Sequence, residues 1–468
     1  MTTDLALAPA TELLRLYKSG KASPVEAAKA ALARIARHNP ALNAFVLVDE
    51  KAALAAARAS EKRWAGKKPL GPVDGVPATI KDIILTKGWP TLRGSLTVDP
   101  HQAWNDDAPV TARLKESGAV ILGKTTTPEF GWKGVTDSPL TGITRNPWNP
   151  ETTPGGSSGG AAVAAAMGMG ALHVGTDGGG SIRIPAAFTG IFGFKQTFGR
   201  VPAWPLSPFG TLANVGPMTR TVADAALMLT VLSRPDWRDW YAPRQPGEDF
   251  TKGLDGGVRN LRIAWSPTLG GKRVMPGVAE KAAAAAKLFK RLGARVEAAE
   301  PEIGPADDIF MKHWFSTAHV VVAGIAPEKR HLVDPGLIET ARVGGAYSTA
   351  DYIRAQMARR ELGLRVNRFF QKYDLLLTPM VSVTAFGVGK VAPEPPGESA
   401  WVDWTPFSHP FNLSRNPAAS VPCGLADGLP VGLQIVGRHD EDALVLRAAR
   451  AFERAQPWAL PPAATASA

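Results

Sequence analysis

The sequence predicts an α/β fold, and three observations predict it. The 468 residues are 45% hydrophobic and include 47 Gly and 40 Pro, a globular enzyme's composition rather than a disordered or fibrous one. From Asp74 onward, short apolar runs bounded by turn residues alternate with helical patterns, as strands and helices do when they pack in layers. The length suggests two or three domains of about 100–200 residues, or one larger sheet, so the chain can build a core without metal or disulfide staples.

The elements follow in chain order. Ser23-Pro24-Val25-Glu26 is a capping box with proline at the first helical position, opening an Ala-rich helix expected to stop at His38-Asn39-Pro40. Residues 1–60 are therefore expected as a mainly helical segment packed on the core. Residues 76–85 and 118–123 read as buried strands, with a helical pattern at 111–118 between them. Residues 155–180 hold ten glycines, interrupted by a helix-like 161–172 and a strand-like 171–174, and a flexible linker would not carry an apolar helix inside it. The Pro-, Gly-, Asp- and Trp-rich stretch 234–257 marks a boundary, followed by a strand at 261–265 and an Ala-rich helix at 278–292. Residues 61–457 are read as the main domain, with a variable insertion or subdomain around 235–405 that includes a Pro-rich loop at 391–398. Residues 458–468, ending in small residues, are read as a flexible tail.

Several classes are excluded by composition. A single cysteine, Cys423, forms no intramolecular disulfide and reads as a small buried hydrophobe. The eight histidines show no metal-ligand spacing, and His173 reads as a packing residue. The start has no basic region and carries Asp4, and the longest apolar run, 161–172, is far short of the ~20 residues a membrane span needs. The expectation is a soluble cytoplasmic protein with no membrane partner. The net charge of +11 is spread along the chain with no block of about five or six like charges, so no nucleic-acid partner is expected.

Two motifs fail on context. Gly118-Ala-Val-Ile-Leu-Gly123-Lys124-Thr125 matches a phosphate-loop pattern, but its apolar middle suits a strand rather than a turn of backbone N–H groups, and Thr126, Thr127 and Pro128 suit no helix interior. Gly155-Gly-Ser-Ser-Gly-Gly160 contains a nucleophile-elbow pattern, yet nothing near His409 or His439 marks either as the partner that elbow requires.

What remains is a lysine in an apolar strand and two serine-bearing glycine clusters. On the strand 77–84, Lys81 and Asp82 face opposite ways, so they are not simply a local ion pair. An exposed lysine with a pKa near ~10.4 is neutral in about one molecule in 2,500 at pH 7; burial lowers the pKa and makes the free amine accessible as a base. Gly175-Thr-Asp-Gly-Gly-Gly-Ser181-Ile-Arg-Ile-Pro185 lets successive N–H groups turn toward one point just before a helix start, which is what a developing oxyanion requires. On the residues alone, an edge lysine reaching solvent and a tight structural turn remain open as alternatives.

These residues resemble the amidase signature family of serine hydrolases. The segment 155–186 fits the family's signature along its length, and Gly-Val-Pro-Ala-Thr-Ile-Lys-Asp at 75–82, Thr-Arg-Asn-Pro-Trp-Asn-Pro at 144–150, Gly-Pro-Met-Thr-Arg-Thr-Val-Ala-Asp at 216–224 and Ser-Val-Pro-Cys-Gly at 420–424 follow in the expected order. The resemblance implies a large mixed β-sheet covered on both faces by α-helices. It implies a triad of Ser181 as nucleophile, Ser157 as bridging serine in a cis peptide after Gly156, and Lys81 as base. It further implies an oxyanion hole from the N–H groups of Gly178, Gly179, Gly180 and Ser181, with Ser158, Asp177 and Arg183 orienting the loops. Phe130, Gly131 and Trp132 correspond to positions near the acyl pocket; no cofactor and no metal are implied. Glycine at 178, where many relatives carry a bulky residue, implies a wider or looser loop. Trp204, Phe209, Trp314, Trp401 and Trp404 lie in variable loops and are candidates to line the pocket.

Two functions fit that resemblance. One is a stand-alone hydrolase of aryl or alkyl amides, with esters and carbamates as further substrates. The other is the glutaminase subunit of a tRNA-dependent amidotransferase. Such subunits usually carry an aspartate that recognises glutamine's amino group where this chain has Thr405, in Thr405-Pro-Phe-Ser-His-Pro-Phe-Asn-Leu-Ser-Arg415. Gly210-Thr-Leu-Ala-Asn-Val-Gly216 also departs from the subunit's more polar counterpart, and the stand-alone reading is preferred. Monomer and homodimer both remain open.

Overall fold

Eleven strands join into one mixed sheet in the computed structural model, which describes residues 4–242, 248–394 and 400–466. Across the sheet the order is Phe45–Val48, Val120–Thr125, Pro77–Lys81, Leu172–Asp177, Asn214–Thr219, Phe192–Lys195, Ala418–Ala426, Leu429–Gly437, Leu375–Pro379, Arg262–Trp265 and Arg295–Ala298. Pro77–Lys81 lies between two parallel neighbours, Val120–Thr125 and Leu172–Asp177, while the centre of the sheet is antiparallel.

Side-chain alternation divides the core between the two faces. Leu375 and Leu377 point into a cluster with Ile263, Leu433 and Ile435, covered by the helices Val222–Leu232, Pro276–Arg291 and Asp442–Ala455. Leu376, between them, points into a second cluster with Ala264 and Val436, covered by Ala306–Ala323, Pro335–Gly345 and Thr349–Lys372. All three leucines are fully buried, each contributing about 1.5–3 kcal/mol. The expected large mixed sheet with helices on both faces is what the chain forms.

The capping box forms as predicted: Ser23 accepts from the Glu26 amide, and the Glu26 carboxylate accepts from the Ser23 amide. The helix nevertheless runs to Leu42, past its expected stop, with Pro40 inside its last turn. Buried Leu42 anchors that turn, and the Asn39 side chain accepts from the amides of Ala44 and Phe45 at 2.8 and 2.9 Å. The N-terminal segment also contributes the edge strand Phe45–Val48, which the helical reading of residues 1–60 missed. The helix Ala10–Ser19 starts after Pro9, which offers no side-chain cap; buried Asp224 accepts from the amides of Ala10 and Thr11, both at 3.0 Å, and supplies it.

Further differences have local causes. The strand predicted over 76–85 ends at Lys81 because its carbonyl accepts from the amides of Ile83 and Ile84, turning the chain. The helix predicted over 161–172 is Gly159–Ala166; Gly168 and Gly170, at φ 70° and 123°, end it and lead into the strand Leu172–Asp177. The region 235–405 shares the main sheet, contributing Arg262–Trp265, Arg295–Ala298 and Leu375–Pro379, and the stretches singled out at 234–257 and 391–398 fall partly outside the described residues, which omit 243–247 and 395–399. In the expected tail, Pro462–Thr465 forms a helical turn with Ala464 buried and its carbonyl accepting from Arg34 at 2.7 Å; residues 467–468 lie outside the described residues. No helix among the described residues is long and apolar enough to cross a membrane.

Candidate active site

Lys81 is the last residue of an interior strand, with no exposed surface. Its Nζ lies 2.6 Å from Ser157 Oγ, 2.8 Å from Thr176 Oγ1 and 3.0 Å from Ser158 Oγ. Three neutral hydroxyls and no carboxylate surround the amine. Burial pushes its pKa well below the ordinary lysine value, and only the more distant charge of Asp177 opposes that shift.

Ser157 and Ser158 precede the helix Gly159–Ala166, and the Gly156–Ser157 peptide is cis. The glycines around them answer to close packing. A Cβ on Gly156 would lie 2.4 Å from the Val135 carbonyl oxygen, and one on Gly159 would lie 2.3 Å from Thr136 Oγ1. That hydroxyl fastens the loop, donating to the Gly155 carbonyl at 2.8 Å and accepting from the Gly159 amide at 3.1 Å. Ser158 is held in turn: its Oγ donates to the Thr176 carbonyl and accepts from the Thr176 amide, both at 3.1 Å.

The second glycine cluster follows the strand Leu172–Asp177, as its apolar lead-in predicts. The two loops meet where the Ser158 amide donates to the Ser181 carbonyl at 3.1 Å, and Ser181 keeps 7% of its surface exposed. Asp177 and Arg183 are both fully buried and form a forked ion pair, Nε to Oδ2 and Nη2 to Oδ1, each 2.9 Å. Burial alone would raise the Asp177 pKa; Arg183, with Lys195 and Asn412, holds it far below the usual carboxylate range. Arg183 completes its donors on Gln434 Oε1, Asn412 Oδ1 and the Ser408 carbonyl. A buried network with every member satisfied is rigid, and this one holds the 178–181 loop.

One predicted oxyanion donor is engaged elsewhere: the Gly180 N–H donates to Asp177 Oδ1 at 2.8 Å. The amides of Gly178, Gly179 and Ser181 have no hydrogen-bond partner among the described residues. The loop is also not loose at Gly178. A Cβ there would lie 3.0 Å from Trp314, and one on Gly179 would lie 2.7 Å from Phe310, so aromatic rings fill the space that a bulkier residue at 178 would need. Phe209 stacks on Trp314 at 3.8 Å, and Trp401 meets Phe310 edge-on at 5.8 Å. Of the aromatic residues singled out in the sequence, Phe209, Trp314 and Trp401 gather over this loop, and Trp314 comes from the helix Ala306–Ala323 rather than from the variable loop expected for it. Trp404 instead stacks on Phe188, and Trp204 lies under Arg238.

The expected pocket residues divide. A Cβ on Gly131 would lie 3.2 Å from Ser157 Oγ, and Phe130 precedes it in a left-handed conformation at φ 49°. The Trp132 ring is buried in the core against Gly336; its carbonyl accepts from Trp314 Nε1 at 2.9 Å, a support to the aromatic wall. The histidines hold structure: His173 bonds Thr79 at 2.9 Å with its pKa pushed down to about 3 by burial, and His409 bonds Asp307 at 2.8 Å. Sequence reasoning missed Thr176, Ser408, Asn412 and Gln434. Thr176 was findable as a polar residue beside Asp177 on an apolar strand; the others come from distant segments.

Comparison with known proteins bears on the family and the fold. A family model described as Amidase matches residues 26–446. The chain is 40% identical to an acylamidase of Rhodococcus erythropolis over 96% of both proteins. It is 38% identical to a glutamyl-tRNA(Gln) amidotransferase subunit of Myxococcus xanthus over 97% of both. The crystal structure of a bacterial aryl acylamidase of the amidase signature enzymes superposes with a TM-score of 0.90 at 33% identity, covering 96% of each chain.

Proposed function

The chain belongs to the amidase signature family of amide C–N hydrolases, and we propose that it is a stand-alone amidase acting on aryl and alkyl amides, with esters and carbamates as further substrates. The observation that carries the chemistry is Lys81 Nζ at 2.6 Å from Ser157 Oγ in a buried setting without a carboxylate contact.

Burial among neutral hydroxyls favours the neutral amine. The Ser158 hydroxyl hydrogen goes to the Thr176 carbonyl, so at Lys81 this oxygen accepts. An amine that has given up one proton keeps two N–H groups for Ser158 and Thr176 Oγ1, and its lone pair then faces the Ser157 oxygen 2.6 Å away, ready to take that hydroxyl's proton. Ser181 Oγ attacks the substrate carbonyl while its proton passes to Ser157, and the Ser157 proton passes to Lys81. The negative charge on the carbonyl oxygen faces the unpaired amides of Gly178, Gly179 and Ser181. Collapse breaks the C–N bond as the relay returns a proton to the leaving amine. Water then attacks the Ser181 ester by the same relay, releasing the acid and restoring the serine.

The partner-dependent glutaminase reading lacks its counter-charge. Thr405 stands where the acid is expected; it is fully buried, and its Oγ1 lies 3.2 Å from the carbonyl oxygens of Trp401 and Val402. A free amino acid's ammonium gains nothing there.

The test is hydrolysis of a matched aryl amide, aryl ester, carbamate and primary amide by the wild type and by Ser181→Ala. Turnover of the aryl amide that vanishes in the variant is expected. Inert amides and carbamates beside cleaved glutamine would overturn the reading.

A further inference from the structure

We propose that a cavity of about 540 Å³, bounded by the helix Thr349–Lys372, the turn Gly210–Leu212 and residues 413–415, binds a small phosphorylated molecule. Arg359, Arg360, Arg415 and His439 line it, and no carboxylate among the described residues does.

Arg359 is the anchor. It is 8% exposed, and its guanidinium donates to the Leu413 carbonyl at 2.8 Å, Thr211 Oγ1 at 2.9 Å and the Thr211 carbonyl at 3.2 Å. All three acceptors are neutral, so the buried charge has no counter-ion among the described residues, and two of its five N–H donors remain unfilled. Burial first, then the nearby charge of Arg415, push its pKa down to about 10. Such a site favours an arriving anion.

The other groups suit the same ligand. Arg415 has its guanidinium 5.1 Å from the Phe198 ring centroid, and neither it nor Arg360 is in an ion pair among the described residues. Ser414 is 3% exposed, and its hydroxyl has no hydrogen-bond partner among them. Three guanidinium forks match the several oxygens of a phosphate better than the two of a carboxylate. The volume lies within the ~300–1,000 Å³ of small-molecule sites, leaving room for an organic body beyond the phosphate. Residues 413–414 follow Asn412, which donates to Asp177 Oδ1 at 2.9 Å, so the site adjoins the network that holds the 178–181 loop.

The experiment is calorimetric titration of the full chain with pyrophosphate and with ribose 5-phosphate at low ionic strength. Arg360→Gln and Arg415→Gln carry the test because both residues are exposed; Arg359→Gln risks the fold. Binding of ribose 5-phosphate by the wild type is expected, weakened at least about tenfold in each variant, with the ligand-free melting temperature unchanged. No binding of either probe, equal affinity in the variants, or binding only of an RNA oligonucleotide would overturn the proposal. None of these readouts depends on amide turnover, so this proposal and the amidase reading fail independently.

Discussion

Lys81 and Lys124 stand on adjacent parallel strands, and both have no exposed surface, yet their surroundings assign them different work. Lys124 Nζ lies 3.2 Å from Asp82 Oδ1 and also donates to Thr91 Oγ1 at 2.6 Å and to the Ile84 carbonyl at 2.9 Å. Burial pushes its pKa down to about 8, with the Asp82 carboxylate opposing the shift. Lys81 meets hydroxyls only. A buried amine beside a carboxylate is held as a cation and knits strands to loop. One beside hydroxyls can be a free base, which an acyl-transfer relay needs. The contact that separates them is the Asp82 carboxylate, placed by the turn after Lys81.

The comparison can be broken or sharpened experimentally. The largest effect is expected from Ser181→Ala, which should lower kcat for an aryl amide by on the order of 10⁴-fold or more without moving the melting temperature. Lys81→Ala should lower amide turnover by about 10²–10⁴-fold and a matched ester by less, because an alkoxide leaves without the returned proton; equal losses would remove Lys81 from the relay. Lys124→Met should do the opposite, costing about 3–5 kcal/mol of stability at neutral pH while the folded fraction keeps its kcat, because it strands the Asp82 carboxylate. Burial already raises the Asp82 pKa, so that cost should shrink as acid protonates it, read from denaturant midpoints across pH.

The pH profile sharpens the same contrast. The proposed base works unprotonated and its pKa is depressed, so kcat/KM should fall only when pH drops through that lowered value, well to the acid side of an ordinary lysine. An acid limb near the ordinary lysine pKa would contradict the hydroxyl-only setting. The smallest effect is expected from Thr176→Val: less than about a tenfold loss in kcat, with the acid limb moved to lower pH, because the ammonium loses an acceptor.

Much of this was legible in residues. The capping box at Ser23 and the apolar strand before Asp177 follow from local sequence and are found in the structure, and Lys81 and Asp82 meet different partners as expected, although the turn after Lys81, not strand alternation, places Asp82. Lys124, set aside as a phosphate-loop residue because its preceding run suits a strand, indeed lies in one. Less legible were features set by contacts far apart in sequence. The Gly180 amide looked free because its acceptor, Asp177, is turned by Arg183 against Asn412, Ser408 and Gln434. Gly178 suggested a loose loop because Trp314, which fills its space, lies far along the chain.

By itself the sequence determined the α/β class, the family and the residue types from which the proposed relay is built, since periodicity and motif spacing act over a few residues and need no partner. Only the tertiary structure decided which buried lysine lacks a carboxylate, which amides of the 178–181 loop have no partner among the described residues and what covers that loop. Desolvation and hydrogen-bond satisfaction depend on every atom that folding brings near, and no local stretch of chain contains them.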